Sequence, residues 1–184
     1  KTGTITEGSP TVTDVIVFPP HDEKEVLGYV GAAEKLSEHP LAEAIVNYAV
    51  EIGASFPSIE DFEAIPGKGI RFSVQDVLWY VGNERLMTEQ QVEFDYSLVQ
   101  RLEDEGKTVV LVANRDRAIG VLAVADRIKE SAPEAIRELA RMGIDVYMLT
   151  GDRERTARAI ASQVGIQHVV AQVLPEDKAV QVNQ

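Results

Sequence analysis

The stretch Ile144–Gly165, IDVYMLTGDRERTARAIASQVG, decides the fold. Ile144, Val146, Met148 and Leu149 are β-formers and mostly apolar, which predicts a central, buried strand. The run stops at Thr150-Gly151-Asp152. Beyond it Ala157, Ile160, Ala161 and Val164 recur at helical spacing, and Gly165 stands where a helix C-cap belongs. A strand that turns sharply into a helix aims backbone N–H groups and a positive dipole end at one point, where anions bind. An Asp in such a turn suits a phosphate that arrives with a divalent cation. The alternative at this point is plain helix capping by Thr150 and Asp152.

Working outward, Ser131-Ala132-Pro133-Glu134 has the form of a capping box, and Ala135, Ile136, Leu139 and Ala140 mark the inward face of its helix, which Gly143 stops. A further strand is expected at Val169–Val173, followed by Leu174-Pro175-Glu176-Asp177-Lys178. Helix and strand alternate strictly after Asp126, which predicts a parallel, right-handed sheet. Ligands of open α/β sheets bind at the carboxyl ends of strands, and Thr150, Asp152 and Lys178 all fall at such ends.

Upstream the style differs. TVTDVIVF at Thr11–Phe18 reads as a strand ended by Pro19-Pro20. Val26, Leu27, Val30, Ala33 and Leu36 form one helical stripe. Leu41, Ala44, Ile45, Tyr48 and Ala49 form another, in a helix with Pro40 at its first turn and Gly53 at its end. Between them lies Ser37-Glu38-His39-Pro40, where Glu34 and His39 could face a common cleft. Asp61–Ile65 reads as a strand, and Ile70–Val74 with Val77–Val81 as a hairpin across Gln75-Asp76. Trp79 on that hairpin is expected in the core. Pro66-Gly67-Lys68-Gly69 and Gly82-Asn83 read as plain turns or as places of close ligand approach. A short acidic helix at Leu98–Leu102 precedes strands at Thr108–Ala113 and Ala118–Ala125. Two lobes are expected: a mainly antiparallel α/β lobe, residues 11–125, inserted into a parallel α/β lobe made of residues 1–10 and 126–184.

The 184 residues are 45% hydrophobic and 26% charged, the balance of a globular protein. A net charge of -12 argues against a nucleic-acid partner. The absence of Cys excludes disulfides and thiolate metal sites. Ala118–Ala125, the longest nearly apolar run, falls far short of the roughly 20 residues that cross a bilayer. With no initiating Met, the chain is expected to be a piece of a longer one.

Taken together, KTGT at Lys1–Thr4, SEHP at Ser37–Pro40, GKG at Gly67–Gly69, Gly82-Asn83, TGD at Thr150–Asp152 and LPEDK at Leu174–Lys178 resemble the cytosolic ATP-binding region of P-type ATPases, specifically the heavy-metal-transporting subclass marked by SEHP. The resemblance covers essentially the whole chain. It implies a haloacid-dehalogenase-like phosphorylation domain carrying an inserted nucleotide-binding domain, with ATP and Mg²⁺ as cofactors. It implies that Glu34 and His39 meet the adenine end, that Gly67, Gly69 and Ile70 line the pocket, and that Gly82 and Asn83 form its other wall. An aspartate before Lys1 would take the γ-phosphate as an aspartyl phosphate. Within the Lys1–Thr4 motif, Thr2 would offer its carbonyl to Mg²⁺, and Thr4 and Thr150 would bond phosphoryl oxygens. Asp152, after Gly151, would orient the two domains, and Lys178 would neutralise the transferred group.

Two departures stand out. The nucleophilic aspartate and the family's GDGxND segment are not in the chain, so the piece should bind nucleotide without turning over. Arg153 stands where many relatives have Asn. The resemblance further implies a cytoplasmic part of an integral membrane protein, working with transmembrane and actuator domains on ATP and ADP, and itself monomeric. Cu(I) export is the transport expected, with zinc or cadmium transport, a soluble phosphatase of the same superfamily, or a non-catalytic nucleotide-binding module as alternatives.

Overall fold

A computed structural model describes residues 1–39 and 41–173. Pro40 and the expected cation Lys178, with the rest of Leu174–Lys178, lie outside the described residues. The chain divides into two compact units: unit 1 holds Lys1–Pro10, Ser97–Thr108 and everything from Ala125, and unit 2 holds Thr11–Tyr96 and Val109–Val124.

Unit 2 is built on a six-stranded sheet: β1 (Thr11–Val17), β2 (Glu60–Ile65), β3 (Gly69–Val74), β4 (Val77–Gly82), β5 (Thr108–Asn114) and β6 (Arg117–Ala125), in the order β1-β6-β5-β4-β3-β2. β2–β3, β3–β4 and β4–β5 pair antiparallel. The β3–β4 turn forms where expected: Gln75 and Asp76 take φ of 49° and 62°, the paired left-handed geometry whose twist matches a two-residue hairpin. β2 is an edge strand whose register slips between Glu60 and Glu63, with Asp61 at φ 51°.

Helices α1 (Glu23–Glu34) and α2 (Ala42–Glu51) pack together against this sheet. Asp22 starts α1 by accepting the Glu25 amide at 3.1 Å. Val26, Leu27, Val30 and Ala33 then meet Ile45 and Ala49 of α2 and Ile70, Phe72, Trp79, Val81, Val112 and Leu122 of the sheet in one core. Trp79 is core as expected, 5.8 Å from Phe72 and 5.4 Å from Tyr29 between ring centroids. Leu36 is not; α1 ends at Glu34, and Leu36 in the following turn is 58% exposed. Unit 2 also holds α3 (Glu84–Glu89), whereas α4 (Tyr96–Asp104) belongs, but for its first residue, to unit 1.

Unit 1 contains α5 (Ala132–Arg141), β7 (Tyr147–Leu149), α6 (Glu154–Val164) and β8 (His168–Val170), with β7 and β8 paired parallel. Gly165 caps α6 at φ 84°, as its place in the sequence requires. Met148, Ala157, Ile160, Ala161 and Val164 form the core. Three expectations fail here. The strand is only three residues long, because Ile144 lies before it and is 46% exposed, and Tyr147 turns outward to stack on His168 at 4.5 Å. Ser131 makes no side-chain cap bond, since its own backbone is already helical (φ -77°, ψ -16°) and cannot aim the hydroxyl at the first-turn amides. Ala135 and Ala140 face out, and from α5 it is Ala132 and Ile136 that join the core.

Phe72→Ala is expected to cost unit 2 about 3–5 kcal/mol, because the ring is fully buried and its stacking partner Trp79 cannot fill the cavity. Hydrogen exchange at β3 and β4 amides, faster in the variant while β7 and β8 stay protected, checks the size and the location of the effect.

Candidate functional site

Two constellations emerge, one in each unit. In unit 2 the last residue of α1, Glu34, and the loop before α2 line a groove of about 420 Å³ with Lys35, Ser37, Glu38, His39, Ala42, Glu43 and Val46. Glu34 is 7% exposed. Its Oε2 is buried and has no hydrogen-bond partner among the described residues. Burial pushes its pKa up to about 7, against a smaller downward pull from a hydrogen bond with Ser37. His39 is an exposed residue with a partly desolvated ring, and that desolvation lowers its pKa. Its backbone N–H donates to Ser37 Oγ at 3.2 Å, and its Nδ1 accepts the Leu41 amide at 3.2 Å. A neutral imidazole that accepts at Nδ1 carries its proton at Nε2, so His39 offers a donor while Glu34 offers an acceptor.

The expected glycines also come together. Gly69 pairs with Gly82 across β3–β4. A Cβ on Gly69 (φ 149°) would stand 2.1 Å from the Val81 carbonyl oxygen, and one on Gly82 would stand 2.2 Å from that of Lys68. These two glycines let one backbone lie on another. Gly67 differs: at φ 70° it faces open space. Asn83 locks the turn, donating from Nδ2 to the Gly67 carbonyl at 2.9 Å while its Oδ1 caps α3 through the Leu86 amide at 3.1 Å. Ile70 is 3% exposed and belongs to the core beneath this turn.

In unit 1 the turn after β7 is held by backbone bonds from Thr150 N to Val170 O, Val173 N to Thr150 O, and Gln172 N to Asp152 O, at 2.9–3.0 Å. Thr150 is 3% exposed. Its hydroxyl accepts the Asp152 amide at 3.1 Å and donates to Asp152 Oδ2 at 2.9 Å. The N-cap of α6 is Arg153, without a side-chain cap bond, so plain capping by Thr150 or Asp152 is not what these residues do. Lys1 pairs through Nζ with Asp152, and its α-amino group donates to the Leu149 carbonyl at 3.2 Å. The Lys1 carbonyl accepts the amides of Thr4, Ile5 and Thr6, which curls Thr2 and Thr4 into an exposed loop beside the turn.

Sequence reasoning missed the group that holds this loop. Asp126 accepts from Thr6 Oγ1 and from the Gly8 and Ser9 amides at 3.0 and 3.1 Å. Lys129 donates from Nζ to the Gly3 carbonyl at 2.8 Å, and Thr6 bridges to Ile128 between them. The only local signal was a charged residue at each end of Asp126-Arg127-Ile128-Lys129, just after an apolar strand. For magnesium, no cluster of three acidic or imidazole side chains occurs among the described residues, so the Thr2 carbonyl does not make a site with them.

The raised Glu34 pKa sets a pH dependence. A carboxyl whose folded pKa lies above its unfolded value of 4.5 stabilises the fold fully below pH 4.5, and that contribution disappears as pH rises through about 7. Unit 2 should therefore lose on the order of 3 kcal/mol across that window. Glu34→Gln should flatten the profile and be the more stable protein at pH 8, as urea titrations at pH 4, 6 and 8 would establish.

The profile of the haloacid dehalogenase-like hydrolases matches residues 1–184. The chain is 46% identical over 183 residues to a probable copper-importing P-type ATPase A of Enterococcus hirae, covering 97% of this chain and 24% of that protein. It is 45% identical over 184 residues to a copper-exporting P-type ATPase of Staphylococcus saprophyticus, covering 99% and 22%. The chain thus spans about a quarter of the length of these relatives. Among solved structures, a zinc-transporting PIB-type ATPase in its E2·Pi state aligns with a TM-score of 0.68 at 36% identity, over 99% of this chain and 30% of the other. The catalytic domain of the CPx-ATPase CopB-B, described in connection with nucleotide binding, aligns with a TM-score of 0.72 at 27% identity, over 100% and 63%. Matched along its whole length by the profile and by relatives that share one kind of catalytic region, the chain belongs to the haloacid dehalogenase-like hydrolases, in the branch formed by the heavy-metal P-type ATPases.

Proposed function

We propose that this chain is the ATP-binding and phosphorylation region of a Cu(I)-exporting P-type ATPase, with unit 2 as its nucleotide-binding domain and unit 1 as part of its phosphorylation domain. The observation that carries the nucleotide assignment is the unpartnered, buried Oε2 of Glu34 in a groove shared with His39. An exocyclic amine of adenine donating to Oε2 would supply the missing partner and favour the ionised carboxyl. Nε2–H of His39 would donate to the base or a neighbouring acceptor. Gly67, the glycine with open space, is where the ligand comes closest to the backbone, while Gly69, Ile70, Gly82 and Asn83 hold that turn in shape.

On the phosphoryl side Thr150 and the Gly151 and Asp152 amides receive phosphate oxygens, with Lys1, Thr2 and Thr4 in the adjoining loop and Lys178 as a further cation. Mg²⁺ arrives with ATP, and the aspartyl phosphate forms on an aspartate that is not among these 184 residues. The parent is a membrane protein whose transmembrane and actuator domains work with this cytoplasmic region, and the region itself is monomeric and binds no nucleic acid. Export of copper is favoured by the naming of relatives such as that of Staphylococcus saprophyticus. Zinc transport is the second reading, favoured by the 36% identity to the zinc-transporting structure.

Titration of the chain with a non-hydrolysable ATP analogue, followed by amide NMR, tests the reading. Shifts should cluster at Glu34, His39, Gly67 and Asn83. His39→Ala should weaken binding about 5- to 30-fold, the loss of one hydrogen bond and its packing, without unfolding unit 2. A response confined to Thr150, Gly151 and Asp152 would replace this reading with a soluble phosphatase.

A further inference from the structure

The chain leaves unit 2 at Tyr96 and returns to it at Val109, and in between Ser97–Thr108 packs with unit 1. Its contacts are with the start of α6, the helix that opens two residues after Asp152. The Glu103 side chain is 4% exposed, with Oε1 3.2 Å from Arg153 Nη1 and Oε2 3.9 Å from Arg155 Nε. Asp104 accepts from Arg155 Nη1 at 2.8 Å. Thr156 Oγ1 donates to the Lys107 carbonyl at 2.8 Å. Gly106, at φ 81°, lies so close that a Cβ there would reach within 3.2 Å of Ile160 Cγ1.

Two features of α6 need this arrangement. Its N-cap residue is Arg153, which gives no side-chain cap to the first-turn amides. Arg153 and Arg155 also put two positive charges at the positive end of the helix dipole, where cations are unfavourable. A buried carboxylate between the two guanidiniums reverses that cost and anchors the N-cap residue from outside the helix. The residue so anchored is bonded directly to Asp152.

We propose that Glu103 is a positioning residue for the phosphoryl-side turn: by holding Arg153 and Arg155 it fixes the first turn of α6 and so the backbone of Thr150–Asp152. The proposal rests on the phosphoryl-side role given to that turn above, and it extends the working site to a helix far away in sequence.

The test is Glu103→Gln in the 184-residue chain, which keeps shape and removes charge. In the ligand-free protein, amides in the first turn of α6 should exchange about tenfold faster, and the Gly151 and Asp152 resonances should move, while those of β3 and β4 stay put. Glu103→Asp, which keeps the charge, should restore most of both changes. In titrations with the magnesium complex of a non-hydrolysable ATP analogue, the variant should keep its Glu34 and His39 responses with Kd within about twofold, and lose those at Gly151 and Asp152. Unchanged shifts and exchange over residues 150–157 in a folded Glu103→Gln protein would overturn the proposal. If that variant fails to fold in unit 1, Arg153→Gln decides, and no change at Gly151 and Asp152 overturns it equally. Absence of any analogue response at Glu34 and His39 in the unsubstituted chain would sink the nucleotide reading instead, leaving the ligand-free comparison to judge Glu103.

Discussion

A unit inserted into another can be accommodated only if the points at which the chain enters and leaves it lie side by side. Here the entry strand β1 and the exit strand β6 are neighbours in one sheet, joined by a bond from Thr13 Oγ1 to the Ala123 carbonyl at 3.3 Å. Just outside the sheet, in unit 1, the Asp126 carboxylate gathers Thr6, Gly8 and Ser9. One acidic side chain thus satisfies two backbone donors and a hydroxyl on the segment that leads into unit 2. Ile5 and Gly3 are held next along by Lys129, so the register of the first nine residues descends from the same short segment. The shape of the Lys1–Thr4 loop depends on that hold.

The two constellations are in opposite states of readiness. In the turn after β7 the Thr150 and Asp152 side chains have partners within the protein, Thr150 with Asp152 and Asp152 with Lys1, and their backbone is bonded to the segment after β8. A ligand entering there must exchange partners. Around Glu34 the reverse holds, because its Oε2 is buried without a donor among the described residues and burial has raised its pKa to about 7. Buried polar atoms without partners are rare and costly, so a ligand that supplies the donor recovers free energy that folding left unrealised. The groove at Glu34 therefore favours a ligand that brings a donor, and the turn after β7 one that can displace the partners already in place.

What could be read in the sequence was what is local. The I′ turn at Gln75-Asp76, the α1 and α2 stripes and the Gly165 cap each depend on residues within a few positions of one another, and period and turn chemistry suffice to find them. That Glu34 and His39 line one groove was legible because they lie five positions apart. Long-range partners were not legible. Nothing in the neighbourhood of Glu103 announces Arg153, fifty residues later, and nothing near Asp126 announces Thr6, Gly8 and Ser9. The failures on Ala135 and Ala140 share one cause, since a helical pattern tells which face is apolar but not how much of it a small unit can cover, whereas Ser131 fails because its own backbone is already helical.

The irregular edge of the sheet has a consequence of its own. β2 is outermost, and an outermost strand presents a free row of amides and carbonyls to any other extended chain. Glu60, Asp61 and Glu63 place three carboxylates along this one, and the left-handed backbone at Asp61 breaks its straight run. A second molecule offering the same strand would meet like charge and a mismatched ladder. Strand pairing between copies along this edge is thereby disfavoured, which is how an exposed sheet edge is kept from templating aggregation.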